Sequence, residues 1–243
     1  MRAANALVAD VLAELALMVA AGVTTADLDA EAERLVRAGG AEPAFKGYRG
    51  YPCTLCASVN EQVVHGIPSA RALGEGDIIS LDMGVKLNGF YGDSAVTVPV
   101  GQVSDEASAL LRVTRESLAH GIAQVRLGGR ISDIGHAIQQ HVEAHGFSVV
   151  REFVGHGIGA ALHEEPQIAN YGEPGRGPRL AEGMVLAIEP MVNVGRPAVK
   201  VLGDGWTAVT KDGSLSAHFE HTVAVTKNGP LVLTQRTASA QAR

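Results

Sequence analysis

Aromatic side chains are scarce in this chain, at 4% of residues with a single Trp. It therefore offers few stacking platforms of the kind that hold single-stranded nucleic acid. Basic residues are in deficit as well. Twenty Lys and Arg stand against 26 Asp and Glu, for a net charge of −6 and a pI near 5.8. That field has the wrong sign for neutralising phosphates, so no direct nucleic-acid binding is expected. Long apolar runs are missing too: the longest, residues 15–23, is too short to span a bilayer, and no membrane association is expected. No charged segment followed by an apolar stretch opens the chain as a secretory signal would. Only two cysteines occur, Cys53 and Cys56. A cytoplasmic location is expected. In an extended segment two thiols three residues apart point to opposite faces, which argues against a disulfide unless the chain turns there.

What is present is material for a core. The 243 residues are 46% hydrophobic and 19% charged, enough to bury one sizeable interior, and 29 glycines predict many tight turns. Apolar spacing predicts a helix over residues 3–21 and a second, capped by Thr24 or Thr25, to about residue 38. Residues 43–76 read as strands and turns. Residues 77–100 read as a hairpin about Asn88-Gly89, a strong type I′ turn signal. Ser104 is expected to cap a helix to about residue 125, and Ser132 another to about residue 145. Strands are predicted over 148–154, 184–194, 197–202 and 219–226, a loop over 171–179, and fraying over the last ten residues. The two halves look related. At an offset of 106, Gly22 falls on Gly128, Asp27-Leu28 on Asp133-Ile134 and Gly40 on Gly146; one residue further out of step, Leu81-Asp82 falls on Ile188-Glu189. The reading is an α+β fold of duplicated helix-helix-strand halves, in a single domain over residues 1–243.

The informative residues are acids inside apolar strands. They stand in Ile78-Ile79-Ser80-Leu81-Asp82-Met83-Gly84, Phe90-Tyr91-Gly92-Asp93-Ser94-Ala95-Val96, Val185-Leu186-Ala187-Ile188-Glu189-Pro190-Met191 and His218-Phe219-Glu220-His221-Thr222-Val223. A buried carboxylate must be protonated, paired with a cation or bound to metal. A two-residue turn at Asn88-Gly89 pairs Gly84 with Asp93 and Asp82 with Ala95. Asp82 and Asp93 then become diagonal neighbours on one face, roughly 7 Å apart at the backbone. Lys86 shares that face but sits beside the turn, so a metal is the better counter-charge. Of nine histidines, His120, His136, His141 and His145 lie in helical patterns, where His141 and His145 have ligand spacing but read more readily as solvated. His156, between Gly155 and Gly157, and His65, before Gly66-Ile67-Pro68, stand where small neighbours would let a ligand approach. Ala160 breaks the dinucleotide fingerprint that Gly155-x-Gly157 would begin, and Gln167 and Pro166 break a helical zinc-protease motif starting at His163-Glu164.

These motifs together resemble the type I methionine aminopeptidases of the pita-bread metallopeptidases. The likeness rests on Asn60-Glu61-x-x-x-His65-Gly66-Ile67-Pro68, the Asp82/Asp93 pair, Gly155-His156-Gly157-Ile158-Gly159, His163-Glu164-Glu165-Pro166, Ile188-Glu189-Pro190 and Phe219-Glu220-His221-Thr222, and spans about residues 2–235. It implies a pita-bread fold with a central antiparallel sheet, and metal ligands Asp82, Asp93, His156, Glu189 and Glu220. An oxygen-rich set of this kind suits two divalent ions such as Co, Mn, Fe(II) or Zn. Asp82 and Glu220 could each bridge the ions. Glu189 would be the proton shuttle, His163 an oxyanion donor and His65 a contact to the scissile amide. Tyr48, Tyr51, Cys56, Phe153, Leu162 and Trp206 would form the side-chain pocket. Phe153 stands where the family often has Tyr, Leu162 where it often has Phe, and Arg49 where His is common. The implied activity is removal of N-terminal methionine from nascent chains whose second residue is small. The expected enzyme is a monomer that meets the ribosome at most transiently. The alternatives are an aminopeptidase P or proline dipeptidase relative, which would normally carry an added N-terminal domain, and a non-catalytic peptide-binding module on the same fold.

Overall fold

Asn88 and Gly89 both take positive φ, 52° and 80°, the left-handed pair that a type I′ turn requires. They join β4 (Ile78–Leu87) to β5 (Phe90–Pro99). The ladder runs unbroken from Ile78↔Pro99 to Leu87↔Phe90, with Gly84 opposite Asp93 and Asp82 opposite Ala95. The register is the one the sequence predicts. The computed structural model describes residues 1–235; residues 236–243 of the stretch expected to fray lie outside the described residues.

Helix α1 (Arg2–Met18) packs across β4 and β5. It stops short of residue 21 because Val19 already turns to extended backbone at ψ 112° and Gly22 takes φ 91°. Helix α2 (Thr25–Ala38) opens on a capping box: Thr24 Oγ1 accepts from the Asp27 amide at 3.1 Å, and Asp27 accepts back from the Thr24 amide at 3.1 Å. Helix α3 (Asp105–Ile122) is capped by Ser104, as expected. Helix α4 (Ile131–Ala144) is not capped by Ser132, which is already helical. Arg130 is its N-cap, and Asp133 accepts from the Arg130 amide at 2.9 Å, while Ser132 Oγ accepts instead from the Arg176 amide at 2.7 Å.

The strands are β1 (Glu42–Pro43), β2 (Leu55–Val59), β3 (Gln62–Val64), β4, β5, β6 (Ser148–Val149), β7 (Gly155–Gly157), β8 (Glu164–Ile168), β9 (Val185–Ile188), β10 (Met191–Asn193), β11 (Val199–Val201), β12 (Ala208–Thr210), β13 (Ser216–His218), β14 (His221–Thr226) and β15 (Gly229–Val232). Every ladder among the described residues is antiparallel. The sheets run β1-β4-β2 with β5 on β4, β13-β10-β6, β11-β12-β3 and β15-β14-β9-β7-β8.

All four predicted strands of the second half are shorter or divided, and residues 197–202 give only β11. Residues 148–154 give only β6, with β7 beginning after them. Residues 184–194 break at Glu189-Pro190, and the last predicted strand starts at His221 rather than residue 219. Pro190 has no amide hydrogen to give a ladder, and the chain changes sheet there. Two apolar clusters underlie the two halves. One collects residues 4–100, including Leu15, Leu28 and Leu81; the other runs from Ala107 to Val225 with Ile78 added, including Leu110, Ile134 and Ile138. Each fully buried Leu or Ile in them contributes roughly 1.5–3 kcal/mol.

Candidate metal centre

The acids meet because the strand registers line them up. Cys56 pairs with Asp82 across β2 and β4, Asp82 with Ala95 across β4 and β5, and Ala95 bridges Glu220, whose amide donates to the Ala95 carbonyl at 2.9 Å. On the far side, β9 and β14 pair Ile188 with His221, and β10 and β13 pair Met191 with His218. That register continues unchanged across the gap and sets Glu189 opposite Glu220. Asp93 sits one pleat along β5, and His156 pairs with Ala187, one pleat before Glu189. One lateral row across β2, β4, β5 and the gap that holds Glu220 and Glu189 therefore gathers residues far apart in the chain. Hydroxyls hold the seam between the halves: Ser94 Oγ donates to the Glu220 carbonyl at 2.6 Å, Thr97 Oγ1 to the His218 carbonyl at 2.8 Å and Thr222 Oγ1 to the Asp93 carbonyl at 2.7 Å.

These acids are buried without basic partners. Among the described residues no Lys or Arg pairs with Asp82, Asp93, Glu189 or Glu220, and Glu189 has only His156 at 3.6 Å and His218 at 3.7 Å. Asp82 Oδ1, Asp93 Oδ1 and Glu220 Oε1 are buried with no hydrogen-bond donor. Burial, then the neighbouring charges, holds Asp82, Glu189 and Glu220 well above the usual carboxylate range. Burial pushes Asp93 to about 7, against a lowering hydrogen bond from the Ser94 amide. The donor atoms of Asp93, His156 and Glu220 lie within 4.8 Å of one another. His156 Nδ1 lies 2.9 Å from the Gly157 carbonyl, so that nitrogen carries the proton and Nε2 presents its lone pair. Orphaned hard oxygens around a neutral imidazole fit a divalent cation.

Asp82, Asp93, His156, Glu189 and Glu220 line one cavity of about 160 Å³ with Tyr48, Tyr51, Cys56, His65, Leu162, His163 and Trp206, close to the ~150 Å³ that admits a benzene-sized group. Tyr51 is buried with its hydroxyl 3.0 Å from both the Leu55 and Gly66 carbonyl oxygens, and Trp206 packs edge-on to it at 5.1 Å. His163 stacks on Tyr48 at 5.3 Å between ring centroids, with its Nδ1 2.9 Å from the Tyr48 hydroxyl. His65 holds a left-handed φ of 60°, a strained conformation of the kind that clusters at functional sites. Phe153 is outside the cavity lining and stands behind His65, ring edge to ring face at 5.4 Å. The glycines flanking His156 serve the sheet rather than a ligand: a side chain at Gly155 would strike the Ala187 carbonyl, and one at Gly157 the Glu165 carbonyl. Cys53 and Cys56 are free thiols. Sequence reasoning missed Phe45 on the cavity wall, gave Arg49 no place in it, and overlooked His218 beside Glu189. The alternation Ser216, His218, Glu220 was the available signal for His218.

Buried acids from both halves around an imidazole define a divalent-metal centre. The chain matches the metallopeptidase family M24 over residues 1–227, and it belongs to that family, among the type I methionine aminopeptidases of the pita-bread fold. It is 55% identical over 235 residues to methionine aminopeptidase 1 of Bacillus subtilis, covering 97% of this chain and 95% of that protein. The crystal structure of methionine aminopeptidase from Thermotoga maritima superposes with a TM-score of 0.96 at 48% identity, over 97% of this chain and 95% of that one. Prolidase from Pyrococcus furiosus shares the fold, with a TM-score of 0.79 at 22% identity. It spans 98% of this chain, but this chain spans only 63% of the prolidase. No described helix is long and apolar enough to cross a membrane.

Proposed function

We propose that this chain removes the N-terminal methionine from nascent polypeptides whose second residue is small, acting in the cytoplasm as a monomeric single-domain enzyme that holds two divalent ions. The observation that carries this is the buried acid row, which has no cation of its own among the described residues and lies at the floor of a cavity sized for one side chain. Asp82, Asp93, His156, Glu189 and Glu220 would hold the ions. When bound, such ions lower the pKa of water and polarise the scissile carbonyl.

The chain's own residues do the rest. Glu189 accepts the proton of the attacking water and passes it toward the leaving amine. Tyr48 donates to His163 Nδ1, which leaves Nε2–H free to donate to the developing oxyanion. Burial, with His156 next, depresses His163 to about 4, so that donor is a neutral imidazole. His65 contacts the scissile amide. Tyr51, Cys56, Leu162 and Trp206 enclose the methionine side chain, an unbranched thioether that fills irregular space, and Phe153 braces His65. The second residue must pass His65 and His163, which favours small side chains. A peptide series tests this: Met-Ala-Ser should be cut far faster than Met-Lys-Ser, and an Ala-Pro dipeptide not at all. Cleavage of Ala-Pro in preference to Met-Ala-Ser would turn the reading to the proline dipeptidases.

A further inference from the structure

A second group of metal-ligand side chains lies on α3 and α4, and none of it lines the catalytic cavity. Glu116 and His120 are four apart on α3. His141 is on the last turn of α4 and His145, its C-cap, is four residues further. Residues four apart share a helix face, and the two faces meet. His141 Nε2 lies 3.2 Å from Glu116 Oε2, the His120 and His141 rings stack at 4.4 Å, and the His141 and His145 rings lie at 4.6 Å. One donor atom each from Glu116, His141 and His145 falls within a 4.8 Å span.

We propose that Glu116, His141 and His145 form a second metal site, which takes Zn²⁺ and ties the end of α4 to the middle of α3. Two imidazoles and one carboxylate are a donor set that zinc accepts, with a fourth position left for water or for His120. Ligands at about 2.1 Å from a tetrahedral ion stand about 3.4 Å apart, close to the Glu116–His141 separation. His145 Nδ1 lies 2.8 Å from the His141 carbonyl. That contact holds the proton on Nδ1 and leaves the Nε2 lone pair for a metal, the outer support metal-bound histidines ordinarily have. Arg112 donates to the same Glu116 Oε2, at 2.9 Å, and that oxygen keeps a second lone pair for the ion. Position 141 corresponds to Leu35 in the first half and position 145 to Gly39, so the duplicated fold does not itself demand histidines here.

The test compares wild type with His141→Ala/His145→Ala and with Glu116→Gln, titrating Zn²⁺ against a chromophoric chelator. Wild type should bind one more Zn²⁺ per chain than the double variant, and Glu116→Gln should hold that ion at least about ten-fold more weakly. Turnover of Met-Ala-Ser should be the same in all three, which separates this site from the catalytic one and shows that the variants are folded. Equal zinc stoichiometry in wild type and double variant, or an unweakened Glu116→Gln, overturns the proposal.

Discussion

Helix α2 spans Thr25–Ala38 and helix α4 spans Ile131–Ala144, 14 residues each at an offset of 106. Gly22 and Gly128 before them take φ of 91° and 82°, and Gly40 and Gly146 after them 71° and 79°. Asp27 and Asp133 each accept from the amide of the N-cap residue. On this common frame the halves present their acids differently. Asp82 and Asp93 sit in one unbroken hairpin, Asp82 with a ladder on each side and Asp93 with one. Glu189 and Glu220 sit where two ladders are interrupted, opposite one another across the gap. A Glu has one more rotatable bond than an Asp, and a ladder gap leaves it room. The first half presents its carboxylates on short side chains in continuous strands; the second presents them on longer side chains, a reach that suits the proton transfer proposed for Glu189.

The largest expected effect tests whether both halves feed one centre. Asp93→Ala from the first half and Glu220→Ala from the second should each abolish metal binding and turnover together, read as metal content after dialysis and hydrolysis of Met-Ala-Ser. An Asp93→Ala protein with full metal content and activity would place the centre in the second half alone. Glu189→Gln keeps the shape and should lower kcat by about 10²–10⁴-fold, the usual contribution of a positioned acid–base group. His163→Ala should lower kcat by roughly 10²–10³-fold with the metals retained. Unchanged activity there would make the Tyr48–His163 contact structural.

Burial raises the acids of both halves. In the cation-free protein Asp93 lies at about 7, while Asp82, Glu189 and Glu220 are all held well above the usual carboxylate range, mainly by burial. Burial holds His156 below the usual imidazole range, so near neutral pH it needs no deprotonation. Metal binding must therefore displace protons from carboxyls, not from the imidazole. Because the carboxyl values are raised, the protonated form gains as pH falls, and affinity is lost in that direction. Between about pH 8 and about pH 6 the apparent affinity should drop by about ten-fold per unit for each proton displaced. An affinity independent of pH across that window, measured by competition with a chelator of known pH behaviour, would mean that the acids are already ionised.

Much of this was legible in the chain. Asn88-Gly89 sets the hairpin register, and with it the Asp82–Asp93 diagonal, because a two-residue turn leaves one pairing. Acids inside Ile-, Leu- and Val-rich runs announce a buried counter-charge. Less legible was what depends on contacts distant in sequence. The pairing of Ala95 with Glu220, which closes the site, joins strands 125 residues apart. The break at Glu189 could have been read from Pro190, yet the change of sheet there could not. Phe45 and Arg49 reach the cavity through a tight turn in which Gly47 and Arg49 both take positive φ, a conformation that no apolar periodicity signals.

The smallest expected effect concerns the two helix starts. From sequence, Thr24 and Ser132 look like equivalent hydroxyl caps. Of these two hydroxyls only Thr24 is an N-cap, its side chain accepting from the Asp27 amide, whereas Ser132 reaches across to the loop at Arg176 and Arg130 offers no side-chain acceptor to its helix. Thr24→Ala should therefore destabilise the fold by about 1 kcal/mol. Ser132→Ala removes only a contact to an exposed loop, and should stay within about 0.5 kcal/mol of wild type. Thermal or urea unfolding of metal-free protein, with both variants in the same buffer, resolves that difference. Equal losses at the two positions would mean that α4 starts two residues later in solution, with Ser132 serving as the cap that its sequence suggests.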